Sequence, residues 1–205
     1  MMNVVSAGRK LIPGLLVLLF SGSLLAETNS PASYTKPDID LTRYNKVLMK
    51  PLNLSDIEVI KPPWEADSPD DWSFEKGTGE EVQKLFMDAM KEELEVNGGY
   101  PLVSESGDDV IRVEVEVLSI TPYVKPGTQT GDTGYEIETL GSGELVVSAE
   151  IRDSSTRELL IVVEGQRTIG DKYRKLNKEN HLKNLNNLFS TWGVKIREAL
   201  NKDRE

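Results

Sequence analysis

Two neighbouring stretches with different periods constrain this chain most. Val82, Leu85, Phe86, Ala89, Met90 and Leu94 recur at three- and four-residue steps, which lines them along one face of a helix. Glu80, Lys84, Asp88, Lys91, Glu92 and Glu95 fall largely on the other face. Soon after, Ile111, Val113, Val115 and Val117 alternate with Arg112, Glu114 and Glu116, the period of a strand packed on one side only. A one-sided helix and a one-sided strand each need a covering layer, so the chain is confined to helices laid against a sheet. Thr78 to Glu81 matches a capping box that predicts where the helix starts, and Gly98 and Gly99 supply its end.

The remaining elements complete that layering. Lys46 to Leu52 is a short apolar run suited to a first strand, ended by Pro51, which has no N–H to give to a ladder. Leu145, Val147, Ala149 and Ile151 share one face of a strand, Asp153-Ser154-Ser155-Thr156 is turn chemistry, and Glu158 to Arg167 returns. Leu159, Ile161 and Val163 lie on one side of that return, but Leu160 and Val162 are apolar too, which predicts cover on both faces. A second amphipathic helix spans roughly Leu182 to Leu200, with a stripe of Leu185, Leu188, Phe189, Trp192, Ile196 and Ala199. Trp192 at that spacing reads as core. The expected fold is α+β: a mainly antiparallel sheet of about five strands with two amphipathic helices packed on one face.

The N-terminus reads as an address. Arg9 and Lys10, the apolar block Leu11 to Phe20 and small residues before Ala26 follow the order of a secretory signal peptide. Pro13 and Gly14 interrupt the block, which is shorter than the roughly 20 apolar residues of a membrane span. Phe20-Ser21-Gly22-Ser23 reads like a lipoprotein processing box with Ser23 where the lipid-bearing cysteine stands. Only a thiol takes the thioether lipid, and the chain has no cysteine, so lipid anchoring is not expected. The expected division is a signal peptide at 1–26, a flexible tether rich in Ser, Thr, Asn and Pro at 27–37, and a single α+β domain at 38–205. The expected location is the periplasm or the exterior, with no transmembrane segment after signal cleavage.

Composition then narrows the chemistry. A net charge of −10 repels phosphate backbones and anionic surfaces at long range, so nucleic acid is not an expected partner. With no cysteine and one histidine, disulfides are excluded and zinc lacks its usual ligands. Glu65, Asp67, Asp70, Asp71 and Glu75 gather carboxylates on a Pro-rich segment, but their spacing fits no calcium loop and reads as a solvated face. His181 has no nucleophile beside it in sequence and reads as solvated near a helix start. Gly77-Thr78-Gly79 and Gly141-Ser142-Gly143 lack the lysine and glycine spacing of a phosphate loop. Lys172, Arg174, Lys175, Lys178 and Lys183, with Tyr173 among them, form one basic patch, read as a solvated loop. No catalytic, cofactor or metal residues are therefore expected.

Aromatics remain in two segments that do not read as core. Trp64 and Trp72 lie in the loop 53–77, and Tyr123 and Tyr135 in the excursion 121–142. Exposed aromatics anchor interfaces, so these four are the expected partner-binding residues. The expected function is a non-enzymatic binding or accessory protein of the cell envelope whose partner is an envelope protein or glycan. The alternative is a carboxylate-dependent hydrolase of envelope glycans.

The pattern Tyr34-x-x-Pro37-Asp38-x-Asp40-x-x-x-Tyr44-x-x-Val47-x-x-x-Pro51, with Trp192 and Ile196-Arg197-Glu198-Ala199-Leu200 at the other end, resembles a bacterial family of exported lipoproteins, the domain of unknown function 3313. The resemblance covers nearly the whole chain after the signal. It implies an exported envelope protein with no assigned activity, so no site residue carries over. Where that family has a lipid-bearing cysteine, this chain has Ser23.

Overall fold

In chain order, β1 (Ser33–Thr35), β2 (Lys46–Met49) and β3 (Glu58–Val59) precede helix α1 (Lys76–Met90), which runs on into a π-helical segment, Lys91–Val96. β4 (Val110–Pro122), β5 (Glu138–Leu140), β6 (Gly143–Asp153), β7 (Leu159–Thr168) and β8 (Tyr173–Lys175) follow, and α2 (Lys178–Asn201) ends the chain's regular structure. The computed structural model describes residues 33–73, 76–123, 137–202 and 204. The signal segment 1–26 with Ser23, the first part of the tether, Glu75 and Tyr135 lie outside the described residues.

The α+β expectation holds, but the sheet is mixed. Its six strands run β1-β7-β6-β4-β2, with β3 also beside β4. β4, β6, β7 and β1 pair antiparallel, whereas β2 and β3 pair parallel with β4. The cause is the connection. Helix α1 lies between these strands and β4, and a helical crossover returns the chain to the end from which it left. Ser33–Thr35, in the stretch expected to be a tether, is an edge strand bonded to β7 from Ser33↔Val163 to Thr35↔Ile161. β5 and β8 form a separate two-stranded ribbon, so the strand number exceeds the expected five.

Alternation assigns the faces. Val113, Val115, Val147 and Ile151 point to the helices and are buried. The opposite face is open and charged: Arg152 pairs with Glu150 at 2.8 Å, and Glu164 and Glu144 accept from Ser148 and Gln166. Val162 sits partly buried on this open face opposite Glu150 and Tyr34, whereas Leu160 is buried in the core, so the cover that the apolar run of β7 predicts is met at Leu160 and lapses toward Val162. A bulge between Val117 and Ser119 resets the register, and Leu118 is exposed.

Both helices pack on the inner face. Val82, Phe86, Ala89, Met90 and Leu94 are buried as their spacing predicts. The helix begins at Lys76, so Thr78 lies inside it and not at its cap. Gly99, at φ +69°, ends the π-helical segment, and Tyr100 N–H donates to the Leu94 carbonyl at 2.8 Å. α2 starts four residues before the expected Leu182, because Asn177 caps it by accepting from the Asn180 N–H at 2.8 Å. Phe86 meets Phe189 edge-on, with centroids 5.4 Å apart and planes at 88°. The helices come close at Gly193, where an added Cβ would meet Glu93 Cβ at 2.7 Å, and Arg197 ties them by a 2.9 Å ion pair with Glu93.

Candidate functional site

A cleft of about 1060 Å³ opens between the C-terminal half of α2 and the inner face of the sheet. Its floor is Val115, Val147, Ala149, Ile161 and Val163, from β4, β6 and β7. Leu188, Trp192, Ile196 and Ala199 form the helical wall, at the three- and four-residue steps of one stripe. Ala149 is small, and Gly165 occupies the inward position between Val163 and Arg167, so the floor recedes where larger side chains would reach α2. Trp192 packs on Phe189, with centroids 5.4 Å apart, and lines the cleft with its remaining surface. It is thus half core and half wall, not core alone as its spacing suggests. Arg167, Lys195, Glu198 and Lys202 stand around the apolar lining. Ligand sites are commonly apolar concavities of about 300–1,000 Å³ with a few polar groups, and this cleft has that composition.

The four aromatics expected at a binding rim part company. Trp64 and Tyr123 do meet, edge to face, with centroids 5.4 Å apart, although 59 residues separate them in sequence. Trp64 is 61% exposed. Tyr123 reaches Glu144 on the open sheet face at 3.4 Å. Trp72 is buried, and its indole N–H has no partner among the described residues, so it does not stand at the rim. Tyr135 lies outside the described residues.

His181 is not a solvated residue. Its Nδ1 lies 2.9 Å from Ser142 Oγ, which also accepts from Asn184 Nδ2 at 3.3 Å. Burial pushes the imidazole down to about 4, against the opposing pull of the Ser142 backbone, so the ring is neutral near pH 7. Ser142 and Asn184 are themselves buried, and Gly170 at φ +94° clears the space that Asn184 fills: an added Cβ would meet Asn184 Cγ at 2.5 Å. With its nucleophile candidate enclosed, this cluster pins the first turn of α2 to the start of β6 and offers a substrate nothing to meet.

A second polar knot closes the far end of β6. Asp153 accepts from Tyr44 OH at 2.7 Å, from Arg43, and from the Ser155 and Thr156 N–H groups at 2.9 and 2.8 Å. Burial raises its carboxyl pKa, but the hydrogen bonds from Thr156 and Tyr44 and the charge of Arg43 outweigh that and hold it at about 2. The loop carboxylates Asp67, Asp70 and Asp71 lie on the surface, and no group of three or more potential metal ligands forms among the described residues. In the basic patch Lys178 pairs with Glu81 at 2.9 Å, while Tyr173, 73% exposed, sits across the ribbon from Leu140. Among the described residues no helix is long and apolar enough to cross a membrane.

The cleft is what sequence reasoning missed. Its one visible signal was the inward row of β7, where Ile161, Val163 and Gly165 are followed by Arg167.

Comparison with solved structures finds distant likenesses. A substituted form of the PelC dodecamer from Paraburkholderia phytofirmans aligns over 82% of this chain and 96% of its own, at 10% identity and a TM-score of 0.38. A Xanthomonas campestris protein of the DUF330 family aligns over 85% and 95%, at 10% identity and a TM-score of 0.41. A PDZ domain protein from Parabacteroides distasonis aligns over 85% of this chain and 35% of its own, at 8% identity and a TM-score of 0.42. No curated protein matches the sequence. The sequence profile described as "Protein of unknown function (DUF3313)" matches residues 19–196, and the chain belongs to that family.

Proposed function

We propose that this protein is a non-enzymatic binding protein of the cell envelope that takes an apolar ligand into the cleft between α2 and the sheet. The observation that carries this reading is the cleft itself, about 1060 Å³ with Val, Ile, Leu and Trp side chains on both walls. Leaving such surface open to water is unfavourable by about 25 cal/mol per Å², which an apolar ligand recovers on entry. The signal-like N-terminus supports export, and the burial of Ser142 disfavours catalysis there.

The test is binding of the neutral fluorophore N-phenylnaphthylamine, read by its own emission and by the part of the tryptophan energy transfer that a Trp192→Phe variant loses. Wild type is expected to bind it, and Ala149→Phe, which fills the floor, is expected to lose binding with an unchanged melting temperature. Absence of binding to wild type refutes the reading. Osmotic-shock fractionation tests the address, and retention in the cytoplasm counts against it.

A second reading, a protein or glycan partner at the loop end, is favoured by the exposure of Trp64 on Tyr123. Capture of the same envelope components by wild type and Trp64→Ala rejects it.

A further inference from the structure

We propose that the occupant of the cleft is an anionic amphiphile, a long acyl chain ending in a carboxylate or similar oxyanion, with Arg167 receiving the head group. This rests on the cleft being a binding site.

Arg167 is a cation on the inward, largely apolar face of β7. The inward side chains of β7 are Ile161 and Val163, then Gly165 with none, then Arg167, paired in register with the buried Leu145. A guanidinium has five donors. Among the described residues, the one acceptor found for Arg167 is the adjacent Gln166 carbonyl, at 2.8 Å, and no carboxylate lies within 4.0 Å of it. Across the cleft, Lys195 and Lys202 also lack an ion pair among the described residues, and Glu198 is the lone carboxylate in the lining. Three unpaired cations around one apolar cavity are a local inversion in a chain of net charge −10. A partly desolvated cation attracts an anion more strongly than a solvated one does, and Arg suits the planar fork of a carboxylate.

The apolar part fits a chain-like ligand. From Leu188 to Lys202 the helical wall extends roughly 20 Å at about 1.5 Å per residue, room for an extended long-chain acyl group lying along α2. Gly165 keeps the floor open beneath Arg167, so chain and head group occupy one continuous space.

The experiment titrates the full-length protein calorimetrically with three probes that share a tail and differ in head: dodecanoate, dodecanol and dodecyltrimethylammonium, all below micellar concentration. Dodecanoate is expected to bind at least tenfold tighter than dodecanol, and the cationic probe weakest. Arg167→Gln is expected to erase the advantage of dodecanoate and leave dodecanol unchanged, while Arg167→Lys retains part of it. Equal affinities for the three heads, or an Arg167→Gln variant that still prefers dodecanoate, overturn the head-group assignment while the cleft reading stands. If none of the three binds and N-phenylnaphthylamine is also silent, the cleft reading itself fails. Light scattering covers the remaining occupant: self-association that Ala149→Phe abolishes would place a second copy in the cleft and overturn the proposal.

Discussion

The inner face of the sheet is sealed along one part and open along another, although α2 contributes to both. In the sealed part Phe86, Met90, Leu94 and Phe189 reach zero exposure and interlock through an edge-on ring pair. In the open part the floor drops to Ala149 and Gly165, and Leu188, Trp192 and Ile196 of the helix face that gap without filling it. One amphipathic stripe therefore does two jobs, and the size of the residues facing it across the gap decides which.

That contrast can be broken most sharply at Phe189. Phe189→Ala in the sealed part is expected to cost about 3–5 kcal/mol, measured by urea unfolding. Trp192→Ala, two-sided and only partly buried, should cost clearly less. Equal losses would mean that the two parts are packed alike.

The two ends of the floor give the next effect. Asp153 has a folded-state pKa of about 2, below its unfolded value near 4. Its contribution is therefore complete above about pH 4 and is lost as pH falls toward 2, amounting to roughly 2 kcal/mol. Asp153→Asn should flatten that limb of the stability curve. His181, held at about 4, binds fewer protons folded than unfolded between pH 4 and 6.5. Stability therefore falls as pH drops through that window, and His181→Gln should remove this earlier step. A single acid transition at pH 2 to 4 in wild type would contradict the lowered titration of His181 beside Ser142.

A matched pair of enlargements sharpens the comparison further. Ala89→Phe overfills the sealed part and is expected to cost about 1–3 kcal/mol, whereas Ala149→Phe enters open space and should leave the melting temperature nearly unchanged. Similar penalties would show that the cleft is closed in solution. Smallest of all, Trp64→Ala on the loop surface should shift stability by no more than about 0.5 kcal/mol, and a larger loss would make that aromatic pair structural.

The sequence carried whatever repeats within a single element. Val82 to Leu94 on α1, Ile111 to Val117 on β4 and the Asp153 turn are all where their local patterns place them. What escaped depends on which residues become neighbours. β1 looks like a tether because its three residues acquire a partner only across the sheet at Val163. The parallel pairing of β2 follows from the crossover through α1, which no residue of β2 announces. His181 gains its environment from Ser142, 39 residues away. The cleft is a deficit of volume between Ala149, Gly165 and α2, and no run of residues along one strand encodes it.

The margins of the sheet have a consequence for the protein at high concentration. One border is the three-residue β1, which covers β7 only from Ile161 to Val163, and beyond it Glu164–Thr168 of β7 itself. The other is pieced together from the four-residue β2, a lone bridge at Asn53 and the two-residue β3, with Pro51 between the first two. Long, flat, unpaired strands template fibril growth by backbone pairing. Here β2, the Asn53 bridge and β3 offer only fragments too short to seed a register, and on the other side the stretch of β7 past Val163 carries Glu164, Gln166 and Arg167, polar and charged side chains that discourage a second chain from pairing there.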